Sequence, residues 1–307
     1  PAAPRHRGQC SFPRSLQPPP TDATALSTPL SDRLAVTGQY LLPKQLLTRL
    51  AGRAASARLG DLTHAAIRRI VARYGHDMSE AAEPRIDSYA SLNDFFTRGV
   101  RPGARPLAEA DYLCAISQFG PIRGDQIFQA KGHAYSTTAL LGGDARLAAA
   151  FEHGQFATLY LSPRDYHRIH MPCAGRLRAM VHVPGDLFSV NPVTARGMPG
   201  LFARNERVVC EFDTARGPLA LVLVGATIVG SMATAWHGVV NPPRPGQIRR
   251  WRYDDQAIEL ERGQEMGRFL LGSTVVLLWP RGTLRCAPDW APGGAVRMGQ
   301  ALGKALG

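Results

Sequence analysis

Short apolar segments, each ended by glycine or proline, follow one another along the chain from about residue 113. Segments with strand propensity that recur at intervals of about 8–12 residues, with turn residues between them, are typical of a β-sandwich or barrel. One helix, at 137–152, is expected to interrupt the series, and the chain after Gly282 is expected to end in a short turn. The clearest strand segments are 156–161, 177–183, 207–212, 219–224, 228–236 and 273–279.

The chain before this series has helical periodicity instead. Apolar residues recur at three-to-four spacing on both sides of Gly60, which predicts two short amphipathic helices. We therefore predict an α+β fold, with an N-terminal helical layer on a β-rich barrel-sandwich catalytic body. The expected divisions are a disordered tail at 1–31, rich in Pro, Ser, Thr and Ala, a helical region at 32–105 and a β-rich domain at 106–307.

The charge of the chain is concentrated in the two predicted helices. Of 307 residues, 36 are Lys or Arg and 24 are Asp or Glu, and a net charge of +12 implies an anionic partner. Half of that surplus lies at 44–73, which holds seven basic residues and one acidic residue. Basic amphipathic helices are typical of proteins that bind membrane surfaces, although a hairpin packed on its own core remains an alternative. Nucleic acid is disfavoured, because no alternation of arginine and aromatic residues is present.

Several classes of protein are excluded by what the sequence lacks. Five cysteines without a C-x-x-C pair argue against a disulfide framework or a zinc ribbon, and favour a reducing compartment. The longest apolar run, 219–230, is shorter than the ~20 residues that a membrane-spanning helix needs. The sequence has no G-x-S-x-G, H-E-x-x-H, Walker A or G-x-G-x-x-G motif.

One polar segment, 162–172, stands out between two predicted strands. His167 and His170 are three residues apart, so one helical turn would put both on one face. Without a third ligand at a suitable spacing we favour acid–base chemistry over a metal site, and we predict no metal. Two histidines that satisfy loop backbone groups are the structural alternative.

The pair Gly272-Ser273 precedes the last long apolar segment. A glycine before a strand is usually only a turn. Glycine also lets a peptide adopt geometries in which the next serine hydroxyl approaches the preceding carbonyl. A histidine that removes the serine proton would complete a nucleophile–base pair.

Five segments together resemble one family. YLSPRDYHRIHMPC at 160–173, PGDLFSVN at 184–191, FARNERVV at 202–209, GATIVGSM at 225–232 and GQEMGRFLLGST at 263–274 occur in order and at family-like spacing. They resemble the bacterial, pyruvoyl-dependent phosphatidylserine decarboxylases. The resemblance extends from about Gln39 to Trp279, and several long motifs in one order are far more specific than any single motif.

The resemblance implies that the chain is made as a proenzyme. Ser273 would attack the Gly272 carbonyl to give an ester, and β-elimination and hydrolysis would leave a pyruvoyl group at position 273. The products would be a β chain, 1–272, and an α chain of 35 residues, 273–307. The pyruvoyl ketone would form a Schiff base with phosphatidylserine and withdraw electrons as carbon dioxide leaves, giving phosphatidylethanolamine.

The resemblance also implies roles for individual residues. His170 matches the base for self-cleavage, and His167 matches a second histidine that protonates the carbanion or holds substrate. Ser189 and Asn191 would line the substrate pocket. The basic helices would dock on an anionic membrane, so the enzyme would be peripheral on the cytoplasmic face of the inner membrane. A homodimer of processed β/α pairs is expected.

The chain departs from the family at one place. The family has a triad Asp in a Pro-x-Asp-Gly segment just before the position of Ala115, and this chain lacks it. Asp111 is the nearest acid. Two readings therefore remain open: an active decarboxylase, or an unprocessed, non-catalytic phospholipid-binding relative. A Ser/His hydrolase of another substrate is a more distant third reading, because no nucleophile elbow supports it.

Overall fold

The computed structural model describes residues 30–305 except 114–117, 131, 229–230, 243, 245, 271, 273 and 287–296. Nearly all of the predicted tail therefore lies outside the described residues. Within them the helices are α1 (Leu30–Leu41), α2 (Lys44–Ser56), α3 (Asp61–Tyr74), α4 (Leu92–Phe96), α5 (Thr137–Leu140), α6 (Ala145–Ala149), α7 (Pro192–Gly197) and α8 (Leu201–Arg204).

The strands within the described residues are short, and all of them come after the first four helices. They are β1 (Tyr112–Leu113), β2 (Gln118–Pro121), β3 (Gln126–Ala130), β4 (His133–Ser136), β5 (Gln155–Tyr160), β6 (Arg168–His170), β7 (Gly175–Val183), β8 (Arg207–Thr214), β9 (Gly217–Val224), β10 (Met232–Thr234), β11 (Gly238–Asn241), β12 (Arg249–Arg252), β13 (Glu259–Leu260), β14 (Glu265–Phe269), β15 (Thr274–Trp279), β16 (Leu284–Cys286) and β17 (Ala301–Ala305).

The predicted α+β fold is confirmed, with an N-terminal helical part and a sheet-rich body. The strands of the described residues form open sheets and not a closed barrel. The single helix expected at 137–152 is wrong: Gly142 and Gly143, both at positive φ, separate α5 from α6. The strand expected at 228–236 is only the three residues of β10, and the region after Gly282 contains β16 and β17 where a turn was expected.

The largest sheet has the strand order β12-β7-β8-β9-β15-β5-β2, with β13 also paired to β7. Strand β15 lies inside this sheet, antiparallel to both β9 and β5. Its side chains alternate between two apolar clusters: Val275 and Leu277 enter one, and Val276 and Leu278 enter the other. Burial of both faces explains why this segment reads as a continuous apolar run.

The two predicted basic helices are present as α2 and α3. Gly75 ends α3 in a left-handed conformation, and its N–H donates to the Val71 carbonyl. A small separate core, formed by Ile67, Tyr89, Phe95 and Phe96, joins α3 to α4. No helix among the described residues has the length and apolar character needed to cross a bilayer.

Hydrogen bonds fasten the helical part to the body at two family-like loops. Gln39 of α1 donates to the Thr194 hydroxyl at 2.8 Å and accepts from the Ser189 N–H at 2.8 Å. The Thr48 hydroxyl of α2 accepts from the Ile228 N–H at 3.1 Å. The helices are therefore held against the segments 184–191 and 225–232.

Candidate active site

Strand pairing brings the polar loop and Gly272 together at one end of the paired strands β5 and β15. Thr274, the first residue of β15, pairs with Tyr160, the last residue of β5. Because the two strands are antiparallel, the loop that leaves β5 and the residues that enter β15 are neighbours. Gly272 is described there, whereas Ser273 lies outside the described residues.

Asp165 shapes the polar loop. Its carboxylate accepts from both the N–H and the hydroxyl of Ser162, each at 2.7 Å. The Asp165 N–H donates in turn to the Ser162 carbonyl at 2.9 Å. This carboxylate closes a tight turn, which is a common use of aspartate in loops.

The turn carries His167 to Gly272. A Cβ atom on Gly272 would lie 2.5 Å from His167 Cε1 and 2.7 Å from the Leu161 carbonyl oxygen. His167 is fully buried, and the Phe96 ring of the helical part lies against it with a centroid distance of 5.6 Å. The predicted histidine and the predicted glycine are thus in contact, at a position that admits no side chain on residue 272.

His167 is neutral at physiological pH. Burial lowers its pKa to about 3, and the charge of Arg98 and the neighbouring His76 act in the same direction. The Pro163 carbonyl acts in the opposite direction, although neither ring nitrogen makes a hydrogen bond of good geometry among the described residues. Because a carbonyl can only accept, Pro163 faces the ring N–H, and the lone pair of the imidazole is left without a partner among the described residues.

His170 lies on β6, which pairs with β14. Its Nδ1 is 2.7 Å from the Gly263 carbonyl, which can only accept, so Nδ1 carries the proton. Nε2 is then the lone-pair nitrogen and accepts from the Tyr166 hydroxyl at 3.1 Å. Burial lowers the His170 pKa as well. His170 is thus a neutral imidazole held in one tautomer.

A backbone carbonyl, and not a described carboxylate, orients His170. The Asp111 carboxylate accepts from the Ala305 N–H at 2.7 Å, at the edge where β1 pairs with β17. The position where the family segment is missing, next to Ala115, lies outside the described residues. In the part of the chain that is described, no three His, Cys, Asp or Glu side chains are grouped as metal ligands would be.

Ser189 and Asn191 lie where the body meets α1. The Asn191 side chain accepts from the Thr194 N–H at 2.9 Å and so caps α7. Ser189 presents its N–H to Gln39 and its hydroxyl to the Asn191 N–H, at 2.8 and 3.4 Å. Both are half-buried, and their expected place in a substrate pocket stays a prediction.

Four residues of the site were missed by the sequence analysis. Tyr166 stacks on His170, with a centroid distance of 5.7 Å. Phe96 covers His167, and Arg98 approaches His76 Nδ1 at 3.0 Å. The aromatic pair before Arg98 was the available signal, but no local pattern connects it to the distant polar loop.

Comparison with known proteins gives one consistent result. A family model described as phosphatidylserine decarboxylase matches residues 92–304, and a second one, described as PSD, matches 34–75. A phosphatidylserine decarboxylase proenzyme of Acidovorax ebreus is 69% identical over 91% of this chain and all of its own length. Proteins of the same name from Delftia acidovorans and Azoarcus sp. are each 68% identical over 89% of this chain, and cover 98% and 96% of their own lengths.

Proposed function

Because this chain belongs to the phosphatidylserine decarboxylase family, we propose that it converts phosphatidylserine to phosphatidylethanolamine with a pyruvoyl group made by self-cleavage between Gly272 and Ser273. The contact between His167 and Gly272 is the observation that supports this most directly. It puts a buried imidazole, whose lone pair no described residue engages, beside the residue whose carbonyl would be attacked.

The surroundings of position 272 suit a pyruvoyl group at the next residue. Such a group supplies a carbonyl that accepts electrons as carbon dioxide leaves. His167 can hold or donate a proton beside it, since a neutral imidazole has both a donor and an acceptor nitrogen. Phe96 covers the His167 ring and keeps water from that face.

His170 is our candidate for the base that takes the Ser273 proton. Its Nε2 is the lone-pair nitrogen, which the Tyr166 hydroxyl must release before it can act as a base, and the Gly263 carbonyl fixes that tautomer, as an aspartate does in a Ser-His-Asp triad. A carbonyl lacks the negative charge that stabilises an imidazolium. Cleavage should therefore be slow, and this same feature favours the alternative of an unprocessed phospholipid-binding relative.

Intact mass and decarboxylation distinguish the two readings. The purified chain should convert with time into a 1–272 fragment and a 35-residue fragment with a carbonyl-bearing N-terminus, and should release carbon dioxide from phosphatidylserine as it does so. Ser273→Ala should stay uncut and inactive. A wild-type chain that stays whole after long incubation, yet binds phosphatidylserine vesicles, would support the non-catalytic reading.

The outer surface of the helices suits an anionic membrane. Leu46 and Leu50, one turn apart on α2, are 54% and 51% exposed, and Leu62 of α3 is 71% exposed. Arg49 and Arg53 are exposed on the same helix as the first two leucines. We propose that this surface binds the cytoplasmic face of the inner membrane peripherally, with leucines in the interface and arginines on lipid phosphates. The expected homodimer stays a prediction.

Replacing Arg49, Arg53 and Arg69 with Gln should weaken binding to anionic vesicles. Each cation near such a surface contributes about 1 kcal/mol at low salt, so the triple variant should bind roughly 100-fold more weakly. Arg68 is left in place because it already pairs with Asp87 at 2.8 Å. Co-sedimentation with liposomes measures the effect.

A matched control removes the same charge from exposed arginines of the body, as Arg123→Gln, Arg146→Gln and Arg281→Gln. This control should bind nearly as the wild type does, and high salt should reduce the difference between the two triple variants. Equal losses in both would show that net charge, and not the helical surface, directs binding.

A further inference from the structure

Arg98, just after α4, is a half-buried cation without a described counter-charge. Its guanidinium donates to the Phe95 carbonyl at 3.2 Å and to His76 Nδ1 at 3.0 Å, and lies 4.7 Å from the centre of the Phe95 ring. None of these groups is negatively charged. No carboxylate among the described residues forms an ion pair with it.

The carboxylate that acts on Arg98, Glu80, and the one that acts on His76, Asp165, are both engaged elsewhere. Glu80 accepts from Arg105 and from Arg297, each at 2.9 Å. Asp165 is held by the Ser162 N–H and hydroxyl in the turn of the polar loop. Arg98 is therefore without a carboxylate in direct contact among the described residues, which is costly for a partly buried cation unless an anion joins it.

His76 accepts from the guanidinium and brings no negative charge to it. Arginine can only donate, so His76 Nδ1 accepts and the ring proton is on Nε2. This Nε2–H is buried and has no hydrogen-bond partner among the described residues. His76 is only 8% exposed, and burial followed by the charge of Arg98 lowers its pKa to about 4, so the ring is neutral.

Arg98 also belongs to the surroundings of the reacting bond. Its charge acts on His167, the residue in contact with Gly272, and Phe96, two residues before Arg98, packs on the His167 ring. Arg168 fixes this arrangement: its Nε donates to the Thr97 carbonyl at 2.8 Å while its Nη1 pairs with Glu265 at 2.9 Å.

We propose that Arg98 binds an anionic oxygen of the phospholipid headgroup, next to His167. The inference rests on the proposed function, and it adds a specificity-determining residue to it. Phosphatidylserine has two groups of this chemistry, the phosphodiester and the carboxylate, and a guanidinium fork matches either.

The test is binding of soluble short-chain lipid to the full, uncleaved chain. In a Ser273→Ala background, Arg98→Gln should weaken binding of dihexanoyl phosphatidylserine about tenfold to a hundredfold in isothermal titration calorimetry. Glutamine keeps a donor for His76 or the Phe95 carbonyl while it removes the charge, and Arg98→Lys should restore part of the affinity. Arg101→Gln, an exposed charge three residues away, should bind as the parent does.

Two further lipids identify the group that binds. Dihexanoyl phosphatidylethanolamine keeps the phosphodiester and lacks the carboxylate, so equal losses for both phospholipids assign Arg98 to the phosphodiester, and a loss for phosphatidylserine alone assigns it to the carboxylate. Dihexanoylglycerol lacks the headgroup, so the parent and the Arg98→Gln variant should bind it with equal affinity.

Three outcomes would overturn the proposal: a parent that does not bind phosphatidylserine, an Arg98→Gln variant with parental affinity, or an equal loss for dihexanoylglycerol. Because the measurement needs no processing, its result is separate from that of the decarboxylation assay. A wild-type chain that never decarboxylates would refute the proposed function while the anion site could still stand.

Discussion

Inserting Pro-Val-Asp-Gly between Cys114 and Ala115 should accelerate self-cleavage of this chain by orders of magnitude. The Gly263 carbonyl already selects the His170 tautomer, so the gain would come from the charge that stabilises the imidazolium. Loss of the corresponding aspartate in a Ser-His-Asp triad costs ~10⁴ in rate, largely through the wrong tautomer, so this figure is the upper limit of the gain here. A time course of intact mass, taken above neutral pH, measures it; burial lowers the His170 pKa, so the base is unprotonated there.

The matched control is Pro-Val-Asn-Gly, which restores the length without the charge and should give little acceleration. If both insertions act alike, the length of the segment limits cleavage and the carboxylate does not. Rapid cleavage of the uninserted chain that Asp111→Asn abolishes would show that Asp111 leaves the Ala305 N–H and takes the role itself.

Gly272→Ala should slow self-cleavage about a hundredfold, in the insertion background as in the wild type. Its Cβ would lie 2.5 Å from His167 Cε1 and 2.7 Å from the Leu161 carbonyl oxygen, closer than such atoms pack. The backbone or His167 must then move, and a displacement of about 1 Å at a reacting centre can cost ~10² in rate. The fraction cleaved after overnight incubation is the measurement.

Gly52→Ala is the control for this change, because nothing lies within 4 Å of a Cβ at that helical position. It should cleave as the wild type does and should be slightly more stable, since alanine is the better helix former. A Gly272→Ala chain that folds and cleaves at the wild-type rate would mean that the contact with His167 has no part in the reaction.

Elements with a strong local pattern were predicted well from the sequence. The periodicity on both sides of Gly60 located α2 and α3, and the apolar run before Trp279 located β15. Strand β17 was missed because ALGKA has little strand character by itself. It is a strand because β1 and β16, distant in sequence, hydrogen-bond to its two edges.

In the candidate site, too, the residues within local motifs were predicted and those brought in by long-range packing were not. His167, His170 and Gly272 were identified from two short motifs. The contact between His167 and Gly272, however, depends on the pairing of β5 with β15. Phe96 and Arg98 reach the site only through the packing of the helical part on the body. Long-range packing of that kind leaves no periodicity or spacing in the sequence from which it can be read.

Because β15 lies inside the largest sheet, self-cleavage would change how the protein can refold. The backbone would be severed immediately before a strand that is paired on both sides from Thr274 to Leu278. The short fragment would stay bound while the molecule is folded, because its release requires the sheet to open. Once unfolded, however, the two fragments would have to find each other again by diffusion, so refolding would become bimolecular and dependent on concentration. Maturation would thereby turn a chain that can refold by itself into one whose persistence depends on never unfolding.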